Sequence, residues 1–335
     1  MLNRRHAFKL ALAGCAAVVA LATTVQAQEK TELSLALNYT LGAGHGGLVA
    51  AQQLGYFEEA GLEVKVVPWS SQTRSETLLA TGNVDFAYIA STDDALINIA
   101  AERPITVLGT VVQHDPVLIG YKTGGDIVRP ADLDGKTYGG FGSSKEPILL
   151  KALIVADGGE GTFSNVVLGT AAYEALYAGK VDAALFFSFS DAVNAAEKGY
   201  DISYFKYADY GVPDQYGTLL AANSAYLAEH PEVARTLMAA LVRGYEYELA
   251  HPDATAQMLI EAGSTSDVAF LKKSIAAFNA TLADSAGAIG PMDLGVWQAR
   301  ADFWVESGFL VDRDGAQIKT PLDVSGSVTN DYLPQ

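Results

Sequence analysis

Cysteine is all but missing from this chain: the one cysteine in 335 residues, Cys15, falls in an apolar leader. Once that leader is removed no thiol remains, so neither disulfides nor thiol chemistry supports the mature protein. Positive charge is scarce as well. Lysine and arginine number 22 against 39 aspartates and glutamates, and the net charge of -17 becomes -20 when the three basic leader residues are subtracted. A globular surface this acidic repels DNA, RNA and anionic membranes, because affinity for phosphate backbones is dominated by lysine and arginine contacts. Nucleic acid is thereby excluded as the main partner. Catalytic signatures are lacking too. There is no G-x-S-x-G, H-E-x-x-H or G-x-x-x-x-G-K and no convincing metal-ligand cluster, so no cofactor or metal is called for. Repeats, heptads and low-complexity tails are not evident.

The long apolar run that does occur lies at the start. Arg4, Arg5 and Lys9 form a positive n-region, Leu10 to Val25 is apolar and small, and V-Q-A ending at Ala27 fits a cleavage site. Residues 1–27 therefore read as a signal peptide, and the mature chain as starting near Gln28 in the periplasm. A membrane span fits less well, since the run is short and no stop-transfer pattern follows. Cys15 in L-A-G-C resembles a lipobox, although cleavage there would leave AAVVALATTV exposed. Arg4, Arg5 and Phe8 partly resemble a twin-arginine signal.

About 308 residues remain, enough for two lobes with substantial cores. Leu33 to Leu37 alternates as a strand, HGGLVAAQQLGYFEEAG reads as a helix stopped by Gly61, and Leu62 to Val67 as a second strand. A helix over Ser71 to Ala80 and a strand over Val84 to Ile89 follow. The unit recurs at Thr106 to Val112, at Thr137 to Phe141 with a helix from Glu146 to Ala156, and at Ala183 to Phe187. Such repetition favours mostly parallel sheets flanked by helices. The composition turns polar near Tyr121, and after Leu219 and Leu220 the chain reads as mainly helical, with Pro231 and Pro252 near helix starts. The expected organisation is a first lobe from residues 28–120 completed by 219–335, a second lobe over 121–218, and a ligand cleft between them.

Four phrases, NYTLGAGHGG, AAQQLGYFEEAGLEVKVVP, LLATGNVDFAYIASTD and ADLDGKTYGGFGSS, together resemble the solute-binding proteins of ABC importers. Over most of residues 31 to 220 the resemblance is to the NMT1/THI5-like branch, in the group containing thiamine-pyrimidine-precursor, sulfonate and nitrate binders. It implies an α/β, two-lobed type II periplasmic binding protein, acting as a monomer, that closes over a small-molecule solute and presents it to a membrane permease. Enzymatic relatives of the same branch rely on a cysteine-rich iron-site motif, which a cysteine-free mature chain cannot form.

Much of the family phrase needs no ligand to explain it. Leu54, Tyr56 and Phe57 can pack a helix end, Gly61 supplies the turn, and Asp85 reads as structural. Pocket candidates fall elsewhere. Asn38 and Tyr39 follow the first strand, and His45 opens the next helix, where it reads either as a contact to a ligand heteroatom or as a local cap. Trp69 offers a stacking face or ordinary packing between lobes. Ser91 and Thr92 stand at a strand-to-helix junction and serve a ligand or cap the helix. In the second lobe, Gly142 and Ser143 lie in the turn YGGFGSSKEP, and Glu146 either accepts protons from an amine or ring N–H, as the resemblance implies, or caps the helix and points outward. A carboxylate there opposes an anionic solute. FFSFSD contributes Phe187 or Phe189 to enclose a flat ring. In the return segment, Asp209 and Tyr216 are weaker candidates for completing the pocket.

The glycine run G-A-G-H-G-G superficially matches a dinucleotide fingerprint through Gly42, Gly44 and Gly47, but the next strand ends V-V-P-W without the required acidic residue. The reading is reversible capture of a small planar nitrogen heterocycle, a pyrimidine first. An alkanesulfonate or other small anion, a flavin-like ring, and a periplasmic enzyme acting on a pyrimidine are the alternatives.

Overall fold

A computed structural model describes residues 30–70 and 72–334. The expected signal peptide, with Cys15, lies outside the described residues. Ten strands form two five-stranded sheets. The first sheet contains β1 (Thr31–Ala36), β2 (Leu62–Val67), β3 (Phe86–Ser91), β4 (Ile105–Val112) and β10 (Gly217–Asn223), in the order β2-β1-β3-β10-β4. The second contains β5 (Val117–Lys122), β6 (Thr137–Gly140), β7 (Ser164–Val167), β8 (Ala183–Phe187) and β9 (Ile202–Lys206), in the order β7-β6-β8-β5-β9.

Both sheets are mixed in the same way. β2, β1 and β3 run parallel, while β10 is antiparallel to β3 and to β4. In the second lobe β7, β6 and β8 run parallel, while β5 is antiparallel to β8 and β9. The single reversed strand of each sheet is the one that has just crossed from the other lobe. The first crossover, residues 113–116, precedes the boundary expected at 121: Tyr121 lies inside β5, paired with Ala183 and Ser203. The second crossover spans residues 207–216.

The inner strands β3 and β10 of the first sheet are apolar on both faces because both are covered, whereas the edge strand β2 exposes Glu63 and Lys65. Phe86 and Tyr88 enter the core beneath the helices Gly46–Gln53, Pro231–Ala250 and Val268–Asn279, while Ala87 and Ile89 enter the opposite core, shared with Trp297 and Trp304. β10 alternates likewise, Leu220 and Ala222 against Leu219 and Ala221. Its sequence GTLLAAN reads as the start of the helical region, and non-local pairing makes it a central, wholly buried strand instead. The long helix expected over residues 45–61 is broken at Gly55 (φ 78°) into Gly46–Gln53 and Tyr56–Glu59.

Close helix packing behind β1 depends on two glycines. A Cβ on Gly47 would stand 2.3 Å from ring carbons of Tyr245, and one on Gly244 would stand 2.1 Å from the Gly47 carbonyl oxygen. The helix Leu294–Glu306 braces the crossovers from behind. Arg300 donates to both oxygens of Asp93, Nε to Oδ1 at 2.7 Å and Nη2 to Oδ2 at 2.8 Å, and through Nη1 to the Pro213 carbonyl at 2.6 Å. Burial alone would raise the Asp93 carboxyl, but the guanidinium outweighs it and holds the group below the usual carboxylate range.

Candidate functional site

The carboxyl ends of the parallel strands in each sheet face one another across the crossovers, where open α/β sheets build ligand crevices. From the first lobe, β1 leads into Asn38 and Tyr39 and then into a short 3-10 turn, Ala43–His45. Tyr39 is 57% exposed and its ring centre lies 5.2 Å from that of Trp69, which follows β2. His45 is buried, with its Nε2 2.9 Å from Asn38 Oδ1. Burial lowers its pKa to about 4, so the imidazole is neutral.

The second lobe supplies the opposite wall. Phe187, at the end of β8, is partly exposed, 6.2 Å between ring centres from Phe189, which packs edge-on against Phe278 of the first lobe at 5.2 Å. Gly142 takes φ 96°, and a Cβ there would press on Val167 at 2.9 Å, so the turn after β6 requires glycine. Ser143 is exposed on that turn.

Among the described residues, three polar side-chain contacts join the lobes away from the crossovers. Lys145 of the second lobe meets Asp94 of the first with Nζ to Oδ1 at 2.9 Å. Lys273 meets Glu197 at 2.7 Å, and the Ser274 hydroxyl donates to the Phe189 carbonyl. Asp94 is a junction: Arg74 also donates to its Oδ1 at 3.1 Å, and the Ser91 hydroxyl donates to its Oδ2 at 2.7 Å. Arg74 in turn pairs with Glu76. The positive groups at this end of the cleft are therefore balanced by carboxylates.

Five of the residues expected in the pocket are engaged or placed elsewhere. Thr92 is buried, its hydroxyl accepting from the Tyr216 N–H at 3.0 Å and donating to the Tyr216 carbonyl at 3.2 Å, which fastens the return crossover. Tyr216 is buried there too, and its hydroxyl accepts from the Asp293 N–H at 2.7 Å. Glu146 lies in the second lobe with both oxygens occupied: Oε2 accepts from the Tyr138 hydroxyl and the Phe141 N–H, and Oε1 from the Ser143 N–H, each at 2.9 Å. It shapes the glycine turn instead of reading an amine. Asp209 is exposed on the 3-10 turn Ala208–Tyr210 and, among the described residues, makes no side-chain hydrogen bond. Ser91 caps the helix Thr92–Ala100 by accepting from the Asp94 N–H at 3.3 Å. Asn38, Tyr39, Trp69, Gly142, Ser143 and Phe187 remain at the strand ends on the cleft side, with His45 buried behind Asn38.

A carboxylate without a cation beside the aromatic strand end is Asp191, first residue of the helix Asp191–Glu197. Its Oδ2 accepts from the Phe187 N–H at 2.9 Å, and among the described residues it has no ion-pair partner. Burial raises its carboxyl above the usual range, an effect eased by the Phe187 N–H and the Tyr173 and Ser190 hydroxyls. Tyr173 packs against Phe141 and Phe186 at 5.7 and 4.9 Å between ring centres, and Tyr39 from the first lobe bears on its hydroxyl. The sequence signal for Asp191 was the phrase FFSFSD, whose last residue opens a helix directly after an aromatic strand end.

A depression of about 550 Å³ lies away from the cleft, lined by Tyr56, Glu59, Arg235 and Arg243 among others. Its arginines are already engaged, Arg243 with Glu59 at 2.6 Å and over the Tyr56 ring, and Arg235 over Tyr332. Nothing there resembles a built ligand site.

Comparison with known proteins places these features. The family model described as NMT1/THI5 like matches residues 43–255. The formylaminopyrimidine-binding protein of Halalkalibacterium halodurans is 29% identical over 228 residues, 67% of this chain and 68% of that protein. The riboflavin-binding protein RibY of Chloroflexus aurantiacus is 24% identical over 314 residues, 90% of this chain and 86% of that protein. The crystal structure of the periplasmic aliphatic sulphonate binding protein SsuA from Escherichia coli superposes with a TM-score of 0.68 at 18% identity, covering 90% of this chain and 99% of that one. With its two mixed sheets, paired crossovers and interlobe cleft, the chain belongs to the NMT1/THI5-like family, as a small-molecule-binding protein of the two-lobed periplasmic-binding-protein fold.

Proposed function

We propose that the protein captures a small, planar, uncharged nitrogen heterocycle, an aminopyrimidine of the thiamine-precursor kind first, and delivers it in the periplasm to the membrane permease of an ABC importer. The observation that carries this reading is the charge pattern of the cleft. Lys145 and Arg74 are both engaged by Asp94, and Asp191 stands without a cation beside the aromatic strand end. A carboxylate so placed favours a ligand that donates hydrogen bonds and opposes an anion, whose approach carries repulsion and desolvation costs. Tyr39 and Trp69 on one side and Phe187 and Phe189 on the other supply ring faces for a flat ligand. Binding stabilises the closed state, since that state alone brings both walls to the ligand.

A relative named for a formylaminopyrimidine supports the pyrimidine reading, and one named for riboflavin, matching nearly the whole chain, keeps a larger ring as the second. The sulfonate reading is weakened by the absence, among the described residues, of an uncompensated cation at the cleft. Isothermal titration of ligand-stripped protein with a hydroxymethyl-aminopyrimidine, the formylaminopyrimidine, riboflavin and taurine tests it. Stoichiometric binding of a pyrimidine without product is the expected result, and taurine binding alone would overturn the proposal.

A further inference from the structure

His45 reads from the sequence as a ligand contact or a local cap, and its surroundings are those of a part set behind the ligand wall. It is 4% exposed, and its ring stands edge-on to Tyr88 at 5.4 Å. The Tyr245 hydroxyl donates to the Gly44 carbonyl at 2.9 Å, so the Tyr88 hydroxyl, 3.0 Å away, donates to Tyr245. The residue is thus held through its neighbour's main chain, its ring edge and its Nε2. Its Nδ1 is buried and, among the described residues, has no partner.

A neutral imidazole has one proton to place. With Asn38 Oδ1 at 2.9 Å, Nε2 must carry it and donate, which leaves Nδ1 a bare acceptor. The opposite amide orientation would set the Asn38 N–H2 against Nε2 and drive the proton to Nδ1. That leaves a buried N–H with no acceptor, a rarer and costlier defect than a lone acceptor. A buried carboxyl, Glu248, packs behind Gly46, where burial raises its pKa well above the usual carboxylate range.

We infer that His45 is a positioning residue that pins the Asn38 amide oxygen inward and so commits the first lobe to presenting the amide N–H2, a hydrogen-bond donor, to the ligand. The inference deepens the heterocycle reading and rests on it. Asn38 donates from one wall and Asp191 accepts on the other, so the site selects a ring edge carrying an acceptor nitrogen beside an amino donor. It rejects the corresponding oxo form, in which N–H and C=O exchange that polarity. Specificity between such near-isosteres comes from the polar group left unpaired with the wrong one.

Two measurements test this. In the ligand-free protein, nitrogen-15 NMR of the histidine side chains is expected to show His45 with a pyrrole-like Nε2 and a pyridine-like Nδ1, unchanged down to about pH 5. An Nδ1–H tautomer, or titration near the ordinary histidine value, would overturn the inference. Titration calorimetry then compares hydroxymethyl-aminopyrimidine with its oxo counterpart. His45→Phe, which keeps the ring but lets the amide turn, should shrink the wild-type preference for the amino form about tenfold, and His45→Gln, which restores an N–H, should recover most of it. A merely structural role would weaken both ligands together and leave their ratio unmoved, and that result would also refute the inference. Wild type that binds neither compound sinks the heterocycle reading alone, and the tautomer measurement then decides the role of His45.

Discussion

The Lys145–Asp94 pair offers the sharpest test of how the cleft closes. Lys145 sits at the start of the helix Lys145–Ala156 in the second lobe and Asp94 in the first turn of Thr92–Ala100 in the first, so their contact exists only while the lobes are together. The side chains are 15% and 12% exposed, and Asp94 with Asp93 outweighs the cost of burial to keep the ammonium above the ordinary lysine range. Replacing Lys145 with methionine removes the interlobe partner while Arg74 still compensates Asp94. The expected loss is therefore below the 3–5 kcal/mol of a stranded buried charge and above the 0–1 kcal/mol of a surface pair, at about 1.5 kcal/mol of closed-state stability. That corresponds to a shift of about tenfold in the closure equilibrium and a matching fall in apparent affinity if the open form dominates without ligand.

Distances between spin labels on the two lobes, read with and without ligand, together with calorimetric affinity, measure both quantities. Lys273→Ala serves as the internal comparison, because the Lys273–Glu197 pair is more open to solvent and should change affinity by less than about threefold. Raising salt should weaken the rim pair more than the Lys145 pair. Unchanged closure and affinity in Lys145→Met, or an equal effect from Lys273→Ala, would refute the reasoning.

Three further outcomes follow from the same geometry. Glu146→Gln forfeits one of the acceptor roles toward Tyr138, Phe141 and Ser143, and should lower stability by about 2 kcal/mol in chemical denaturation while loosening ligand binding. Gly47→Ala drives a methyl into the Tyr245 ring and should cost about 3 kcal/mol or prevent folding, seen as loss of the cooperative thermal transition. The Asp93 carboxyl is held below its unfolded value, so its contribution is present above about pH 4 and lost as pH falls through the depressed folded value. Acid unfolding of the wild type should steepen there, and Arg300→Met should already be destabilised at neutral pH by about 3 kcal/mol.

The alternating pattern of strand and helix was readable because it is local: Leu62–Val67 and Ala183–Phe187 agree with the structure end for end. β10 was not, since LLAA has the composition of a helix and becomes a strand only by pairing with β3 and β4, far away in sequence. The same division governs the site. Asn38, Tyr39, His45 and Trp69 follow strands that the pattern reveals, so their neighbourhood could be anticipated. Glu146 could not be separated from Asp191 by sequence, because both are acidic residues near a helix start after a strand. Burial separates them: Glu146 is 5% exposed with donors on both oxygens, whereas Asp191 is half-buried beside the exposed Phe187.

That distinction bears on how one fold serves solutes of unlike chemistry. The closing contacts, Lys145 with Asp94 and Lys273 with Glu197, involve no group that reads a planar ring, and the crossover fastening by Thr92, Tyr216, Asp93 and Arg300 lies behind the cleft. Residues in the best position to choose the ligand are few and sit on strand-end loops: Asn38 with its His45 support, the aromatic pairs, and Asp191. Changing Asp191 to asparagine removes a negative charge from the cleft without touching a hinge or closing contact. It should weaken an amino-heterocycle by at least tenfold while leaving ligand-free lobe distances unchanged, and stability at neutral pH should hold or rise, because burial disfavours the carboxylate it removes. If the substitution opened the lobes or left affinity intact, selection and closure would share machinery, and the separation drawn from the contacts would fail.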